Sequence, residues 1–514
     1  MGGSRGYARS AGSAASLAGT GAALLLAAVV CAAVPGVPYP VVAAASTVAR
    51  LTPGGVATLF IEMLQHLALP LTVAAVAAGL MLTAWLLGRY LLPPLAARVG
   101  IRPAAALGAL PLWAVGVAMF RPDLTTVGRP AYALALAVPA AAGAAVTART
   151  FARLVGERPP SPSSSPSSSP SPDLSRRTAV RAVGIGAAGV ALGWLAAGQL
   201  FRRENPGTRP LARQPATPAP QPPASPGFDS IEDLSPRVTP TPDFYVVDEE
   251  VIDPDIDVGQ WRLSVAGHVD EPFDLSYDDL LAFPLVEQFA TLECISNQIG
   301  GDLISTARWT GVRLPDVLER AGIRDGAVEV VFRAISGYSD SLPLADALRP
   351  VTLVAVGMDG MTLPREHGFP ARLLAPGYYG MKQPKWLRSI EVVTEPYQGY
   401  WEQRGWIKAA VVKTWSRIDA VDEAAEQLVV AGVAFAGDRG IRAVEVSFDD
   451  GATWMPADLE PALSGFTWRR WKLAFDPGAQ VVTVRAIDGT GQVQESRVQP
   501  PHPSGASGLD TANL

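Results

Sequence analysis

Five stretches of this chain, near residues 17–35, 70–92, 103–120, 131–147 and 179–201, are rich in Ala, Leu, Val and Gly with almost no charge. About 20 apolar residues in helical form match the ~30 Å hydrocarbon core of a bilayer. Inside a bilayer every backbone amide must be satisfied within its own segment, so such stretches are helices. The third and fourth are short and contain prolines, so the pattern does not fix their ends. A single short apolar run is commonly a buried helix of a soluble domain. Five of them before residue 203 predict a transmembrane region over 1–203.

Arginine placement predicts the orientation. Arg5 and Arg9, then Arg89, Arg98 and Arg102, then Arg149, Arg153, Arg158, Arg176, Arg177 and Arg181 mark three cytoplasmic segments. The intervening segments carry only Arg50, Arg121 and Arg129, while Arg202 and Arg203 run against the trend. Five spans that start inside make this a multi-pass protein of the cell membrane, with its C-terminal region on the extracytoplasmic side. The Ser/Pro tract 157–175 reads as a disordered loop. It leads into "SRRTAVRAVGIGAAGVALGWLAAGQL", which is either a twin-arginine export signal or a plain positive-inside flank. Residues 204–242 read as a Pro-rich linker that spreads the outer region away from the bilayer.

From 243 the patterning is mixed α and β. "WRLSVAGHV", "EQFATLEC", "AVEVVFRAISG" and "RSIEVV" predict strands, "SYDDLLAFP" and "LPDVLERAG" short helices, and "GYSDSLPL" a loop. The mixed α+β domain spans 243–398. From 399 to 506 "LVVAGVAFAG", "IRAVEVSFDDGATW", "TWRRWKLAF" and "VVTVRAIDGTGQV" predict a β-sandwich, with 507–514 a tail. The sandwich shows no catalytic grouping, so its expected role is structural or dimer-forming.

Two cysteines exclude a disulfide framework and any Cys₄ iron–sulfur or zinc site, and no C-x-x-C-H stretch is present for a c-type haem. The net charge of −6, without a long basic stripe, argues against a nucleic-acid partner. Cys294, in "TLECISNQIGGD", taken alone is a small buried hydrophobe. A thiol nucleophile wants a histidine base, and His268 and His367 are the candidates in the same domain. A metal ligand wants more donors, or a cofactor whose dithiolene supplies them. The stretch "REHGFPARLLAPGYYGMKQPKWL" interleaves His367, Arg372, Lys382 and Lys385 with apolar and turn residues, an arrangement that converges cations on an anion.

"TLECISN", "ISTARWTGVRL", "GYSDSLPL", "HGFPARLLAPG" and "PKWLRSIEVV", in that order, resemble the sulfite oxidase family of molybdopterin enzymes. "VEVSFDDGATW" and "PPHPSGASG" resemble its C-terminal immunoglobulin-like domain, so that about 243–506 is covered. The resemblance implies a Mo-molybdopterin cofactor with Cys294 as the thiolate on the metal. It places Phe244, Tyr245, Asp248, Asn297, Ser336, His367, Arg372, Gln383, Pro384 and Lys385 among cofactor contacts. Tyr338 matches the active-site tyrosine, and Arg372 lies where the family puts positive charge near substrate. The departures are Gln298 and Ile299, where sulfite-oxidising members carry arginines, and Val246, where an arginine is usual. A pocket without these charges binds a dianion poorly. The expected activity is therefore oxygen-atom transfer on a small substrate, sulfite-like or sulfoxide-like. With no haem domain and no histidine in mid-membrane, electrons leave through an external carrier, a cytochrome or a quinone-linked protein. A homodimer is the assembly the sandwich permits. The competing reading is a non-enzymatic membrane-tethered binding protein in which Cys294 is inert.

Overall fold

The computed structural model describes residues 2–33, 39–52, 56, 68–119, 129–156, 208–221, 224–225, 227–248, 250, 253–422, 428–475 and 480–513. They fall into two compact units: a helical one up to residue 156 apart from 56, and a β-rich one holding residue 208 onward apart from 250 and 253–255.

The helical unit comprises α1 (Gly2–Ala33), α2 (Pro40–Leu51), α3 (Ala68–Tyr90), α4 (Leu92–Val99), α5 (Ile101–Ala118) and α6 (Arg129–Gly156). Four stretches of it, Ala8–Cys31, Leu71–Tyr90, Ile101–Ala118 and Arg129–Val155, are long and apolar enough to cross a membrane. They correspond to the first four expected spans. The fifth, 179–201, lies outside the described residues, as do the Ser/Pro tract and the Arg176–Arg177 pair. Helix α2 occupies what the sequence pattern leaves as a connecting loop. Its proline opens the first turn, and Val41, Val42 and Ala45 are buried in one apolar cluster with Val73 and Ala77 of α3. Glycines set how closely α1 meets its neighbours. A Cβ on Gly12 would collide with the Gly88 carbonyl of α3, and one on Gly19 with the Gly143 carbonyl of α6. In lipid there is no hydrophobic drive between helices, and close backbone packing at small residues takes its place.

The β-rich unit opens with two sheets. One contains β1 (Leu263–Gly267), β2 (Phe273–Leu275), β5 (Glu329–Ala334), β6 (Ser339–Pro343) and β10 (Leu387–Val393), in the order β2-β1-β10-β5-β6. The other contains β3 (Leu285–Glu293), β4 (Ile304–Arg313), β7 (Leu353–Met358) and β8 (Met361–Thr362), with β9 (Arg372–Leu374) also paired to β7. Strands and helices fall where the patterning puts them. The helix Tyr277–Ala282 begins at a Ser276–Asp279 capping box, and Leu314–Ala321 ends at Gly322 with φ +67°. "GYSDSLPL" is the exception: most of it is β6, not a loop. Alternation is lost there because the polar side chains are themselves buried and paired: Ser341 donates to Glu329 at 2.8 Å, and Asp340 receives the Lys382 ammonium at 2.7 Å. Apolar faces from both sheets and from Leu314–Ala321 share one core, including Leu263, Phe332, Val354 and Ile390, each fully buried. Burying a side chain of this size contributes ~1.5–3 kcal/mol.

The sandwich follows: β11 (Trp415–Asp422), β12 (Leu428–Phe435), β13 (Ile441–Ser447), β14 (Met455–Pro456), β15 (Asp458–Leu459), β16 (Arg469–Phe475), β17 (Val481–Asp488) and β18 (Asp510–Asn513). Sheets β11-β12-β16-β15 and β14-β13-β17-β18 close on one core around Trp471, Val430, Val444 and Val484. The "SFDDGATW" turn joins β13 to β14, with Asp450 and Gly451 at positive φ and Asp449 accepting from Thr453.

The Pro-rich stretch expected as a spacer is, over its described residues, laid against the β-rich unit as a strap. Thr217 bridges Val286 of β3, and Pro210 bridges Met361 of β8. Farther along, Arg470 pairs with Asp229 and Glu460, Arg237 pairs with Glu460, and Lys472 donates to the Gly227 carbonyl. Prolines suit an extended strap that pairs intermittently, because they lack the donor a continuous ladder needs. The strap then returns to β4, where Thr239 donates to the Thr306 carbonyl at 2.8 Å, and delivers Phe244 and Tyr245.

Candidate cofactor site

Cys294 ends β3 at the start of a tight turn. Its amide donates to the Leu303 carbonyl, its carbonyl accepts from Asn297, and its thiol lies 2.9 Å from the Ser296 hydroxyl. Asn297 braces this turn from inside, donating to Glu293 at 3.1 Å and accepting from the Leu303 amide at 3.1 Å. The thiol is half-buried, and burial pushes its pKa up. Burial likewise raises the neighbouring Glu293 carboxyl to about 8, against the Asn297 bond and the Arg417 charge.

The sandwich clamps the far side of this turn. Trp415 donates to the Gln298 carbonyl at 3.4 Å and Arg417 to the Gly301 carbonyl at 2.6 Å. Gln298 is exposed, and the Ile299 side chain is set against Gly508, where any Cβ would collide with it.

Arg372 opens β9 in a wholly buried setting. Among the described residues its terminal nitrogens reach only backbone carbonyls, His367 at 3.2 Å and Gln383 at 3.4 Å, and its Nε has no partner; its guanidinium lies 5.3 Å from the Trp309 ring centroid. Burial lowers its pKa to about 10, and the one opposing group is the phenol of Tyr245 rather than a carboxylate. His367 is buried, and burial together with the Arg372 charge lowers it to about 4, so it is neutral at pH 7. Phe244 packs edge-on to Trp309 at 5.7 Å and to His367 at 5.1 Å, and stacks on Tyr245 at 5.5 Å. Burial pushes the Tyr245 phenol well up; nearby Cys294 and Glu293 add to this and the Arg372 guanidinium opposes it. Lys385 is held by the Asp248 carboxylate and the Glu366 carbonyl, and burial lowers it to about 7.

The structure thus gathers Phe244, Tyr245, Asp248, Cys294, Asn297, His367, Arg372 and Lys385 around one region. Other expected contacts have local duties. Gln383 spends both ends of its amide on backbone, the Ala375 N–H and the Tyr378 carbonyl, and the Pro384 carbonyl accepts from Leu373. The Ser336 hydroxyl accepts from the Tyr338 amide at 3.3 Å, and the Tyr338 hydroxyl donates to the Met381 carbonyl at 2.6 Å. Lys382 turns away from the other cations into a buried ion triad, 2.7 Å from Asp340 and 2.5 Å from Glu402. Burial pushes the Asp340 carboxyl up against the pull of Lys382. Sequence reading missed Glu293 and Trp406, a buried indole whose N–H has no partner among the described residues and which shares an apolar cluster with Ile295 and Met381. Neither sits in a distinctive pattern; Glu293 reads simply as a residue of a buried strand.

A cysteine thiol that can serve as a soft donor, a buried guanidinium with no anion beside it among the described residues and a lysine close by fit an anionic, metal-bearing organic cofactor. The comparisons identify that class. The oxidoreductase molybdopterin binding domain matches residues 250–401, and the Mo-co oxidoreductase dimerisation domain matches 400–500. The mitochondrial sulfite oxidase of Rattus norvegicus is 31% identical over 318 residues, covering 51% of this chain and 58% of that protein. The oxidoreductase YuiH of Bacillus subtilis is 38% identical over 150 residues, covering 29% of this chain and 74% of that protein. The sulfane dehydrogenase SoxCD of Paracoccus pantotrophus shares the fold, with TM-score 0.50 and 23% identity over 54% of this chain and 81% of that one. The chain spans 58% of the length of the mammalian sulfite oxidases it matches.

The chain belongs to the sulfite oxidase family of molybdopterin oxidoreductases. Its cofactor is Mo-molybdopterin. The residues present fit that group: the unpartnered Nε of Arg372 is the donor an anionic cofactor would satisfy.

Proposed function

We propose that this chain is a membrane-anchored, multi-pass oxidoreductase that carries out oxygen-atom transfer on a small, sulfite-like or sulfoxide-like substrate outside the cytoplasmic membrane. The observation that carries this is the buried Arg372 guanidinium, without a carboxylate partner, in the same region as Cys294. Bound molybdopterin would supply the two-electron redox chemistry. This chain's residues do the rest. Cys294 ligates the metal. Arg372 and Lys385 hold the anionic end, with His367 neutral beside them. Phe244 and Trp309 cover the cradle and keep water out. Gln298 and Ile299, exposed or packed on the sandwich, bring no cation to the substrate side, so the reading favours a neutral or singly charged substrate over a dianion. Electrons pass to or from an external carrier, a cytochrome or a quinone-linked protein. The sandwich, read as immunoglobulin-like, forms a homodimer. The four apolar helices support membrane anchoring, and the arginine distribution supports the outward orientation.

The test is molybdenum analysis of the purified full chain from a cofactor-making host, followed by assays with sulfite and dimethyl sulfoxide and an artificial electron carrier. About one molybdenum per chain, lost in Cys294→Ser, is the expected result. A metal-free wild-type chain would overturn the reading.

A further inference from the structure

We propose, resting on the reading above in which Cys294 ligates the metal, that Arg417 of the sandwich is the positioning residue for the Cys294 thiolate, and that through Arg417 the strap helps to hold the cysteine turn.

The turn is a closed loop. The Cys294 amide meets the Leu303 carbonyl across its base at 2.9 Å, and the Asn297 side chain braces it from inside. It is packed tightly on both sides. A Cβ on Gly301 would meet the Asn297 Oδ1 at 2.4 Å, and one on Gly300, at φ +67°, would meet the Asp510 carboxylate at 2.8 Å. The far end, 298–301, lies outside the β3–β4 ladder, so its position depends on what the sandwich offers it.

Trp415 and Arg417 stand two residues apart on β11 and so face the same side. Trp415 donates to the Gln298 carbonyl at 3.4 Å, and Arg417 Nη1 to the Gly301 carbonyl at 2.6 Å. The pairing of β11 with β12 shifts between Ile418 and Ala420, which leaves Asp419 outside the ladder. A bulge of this kind re-aims a side chain. One Asp419 oxygen accepts from Arg417 Nε at 2.5 Å, and the other accepts from the Ser235 amide of the strap at 3.1 Å. Arg417 Nη2 donates to the Ser235 hydroxyl at 2.9 Å. The three nitrogens of one planar group therefore serve three segments: the cysteine turn, the sandwich strand and the strap. The Arg417 and Asp419 side chains are only 13% and 4% exposed, so little water competes for these bonds. A lysine ammonium is a point charge and cannot reproduce a rigid fork.

The test uses full chains in detergent: wild type, Arg417→Lys, Ser235→Ala, the double variant and Arg470→Lys. Arg470 also joins sandwich to strap, but through Glu460 and Asp229, so it controls for general loosening. One readout is the alkylation rate of Cys294 in the cofactor-free chain, with the buried Cys31 as internal reference. The other is the sulfur-to-metal charge-transfer absorption of the molybdenum-loaded chain. Arg417→Lys is expected to alkylate ~10-fold faster, the loss of one charge-assisted bond to a carbonyl, and to shift the absorption. Ser235→Ala is expected to move both readouts the same way, ~3-fold in rate, and to add less to Arg417→Lys than to wild type, as residues of one network do. Arg470→Lys is expected to leave both at wild-type values. Unchanged readouts in Arg417→Lys, or equal changes in Arg470→Lys, would overturn the proposal. Should Arg417→Lys fail to fold, wild-type readouts in Ser235→Ala would overturn it instead. A metal-free wild-type chain would fail the functional reading, and the alkylation rates would still decide the brace. A loaded wild type with unchanged alkylation in both variants would fail this proposal alone.

Discussion

Replacing Arg372 by methionine should separate a cofactor cation from a structural one. The guanidinium is wholly buried, and its pKa falls from 12.5 to about 10. A guanidinium lowered this far by burial means the cofactor-free fold carries the charge at a cost of roughly 3 kcal/mol. Methionine relieves this cost. It also leaves the His367 and Gln383 carbonyls without their donor, which costs ~1–3 kcal/mol each. The two effects nearly cancel, so cofactor-free Arg372→Met should unfold within a few degrees of cofactor-free wild type. The loaded form should behave otherwise. Each charge-assisted bond to an anionic cofactor contributes ~1.5–3 kcal/mol, so the variant should lose most of the stabilisation that loading gives wild type. Reloading the apo chain should need ~10²–10³ times more cofactor, since every 1.4 kcal/mol is tenfold. The assay is thermal unfolding of full chains, with and without cofactor, beside molybdenum content. Equal destabilisation of both forms would refute the reasoning and make Arg372 an ordinary structural cation.

Two further predictions concern stability. Lys382→Met leaves Asp340 and Glu402 buried without their cation, and should destabilise the β-rich unit by ~3–5 kcal/mol; an unfolding temperature unchanged from wild type would contradict the triad. In the sandwich, burial would raise Asp488, but bonds from Thr490, Arg439, Gln492 and Thr414 outweigh it and hold the carboxyl well below its ordinary range. A depressed carboxyl contributes stability above its unfolded pKa of ~3.9 and loses it as pH falls below that value. Asp488→Asn should therefore flatten the acid limb of stability below about pH 4, and a limb as steep as wild type would count against it.

The apolar spans, the strands, the capping box at Ser276 and the strand-only C-terminal region were legible because each rests on a period or a local bond among neighbours in sequence. Cys294 and Arg372 could be singled out through ordered motifs that resemble one family. What patterning could not reach were the partners chosen across long separations. Lys382 and Lys385 stand three residues apart in one cationic stretch, yet one enters a buried triad with carboxylates and the other meets Asp248 in the cofactor region. The Pro-rich stretch read as a spacer because its composition resists regular structure, and it became a strap because Glu460, Arg470 and the β3 edge were there to hold it. Composition and period determine which segments form elements and which face they bury. Which charges pair, and which remain for a ligand, is decided only when folding brings distant residues together and removes the water that would have screened them.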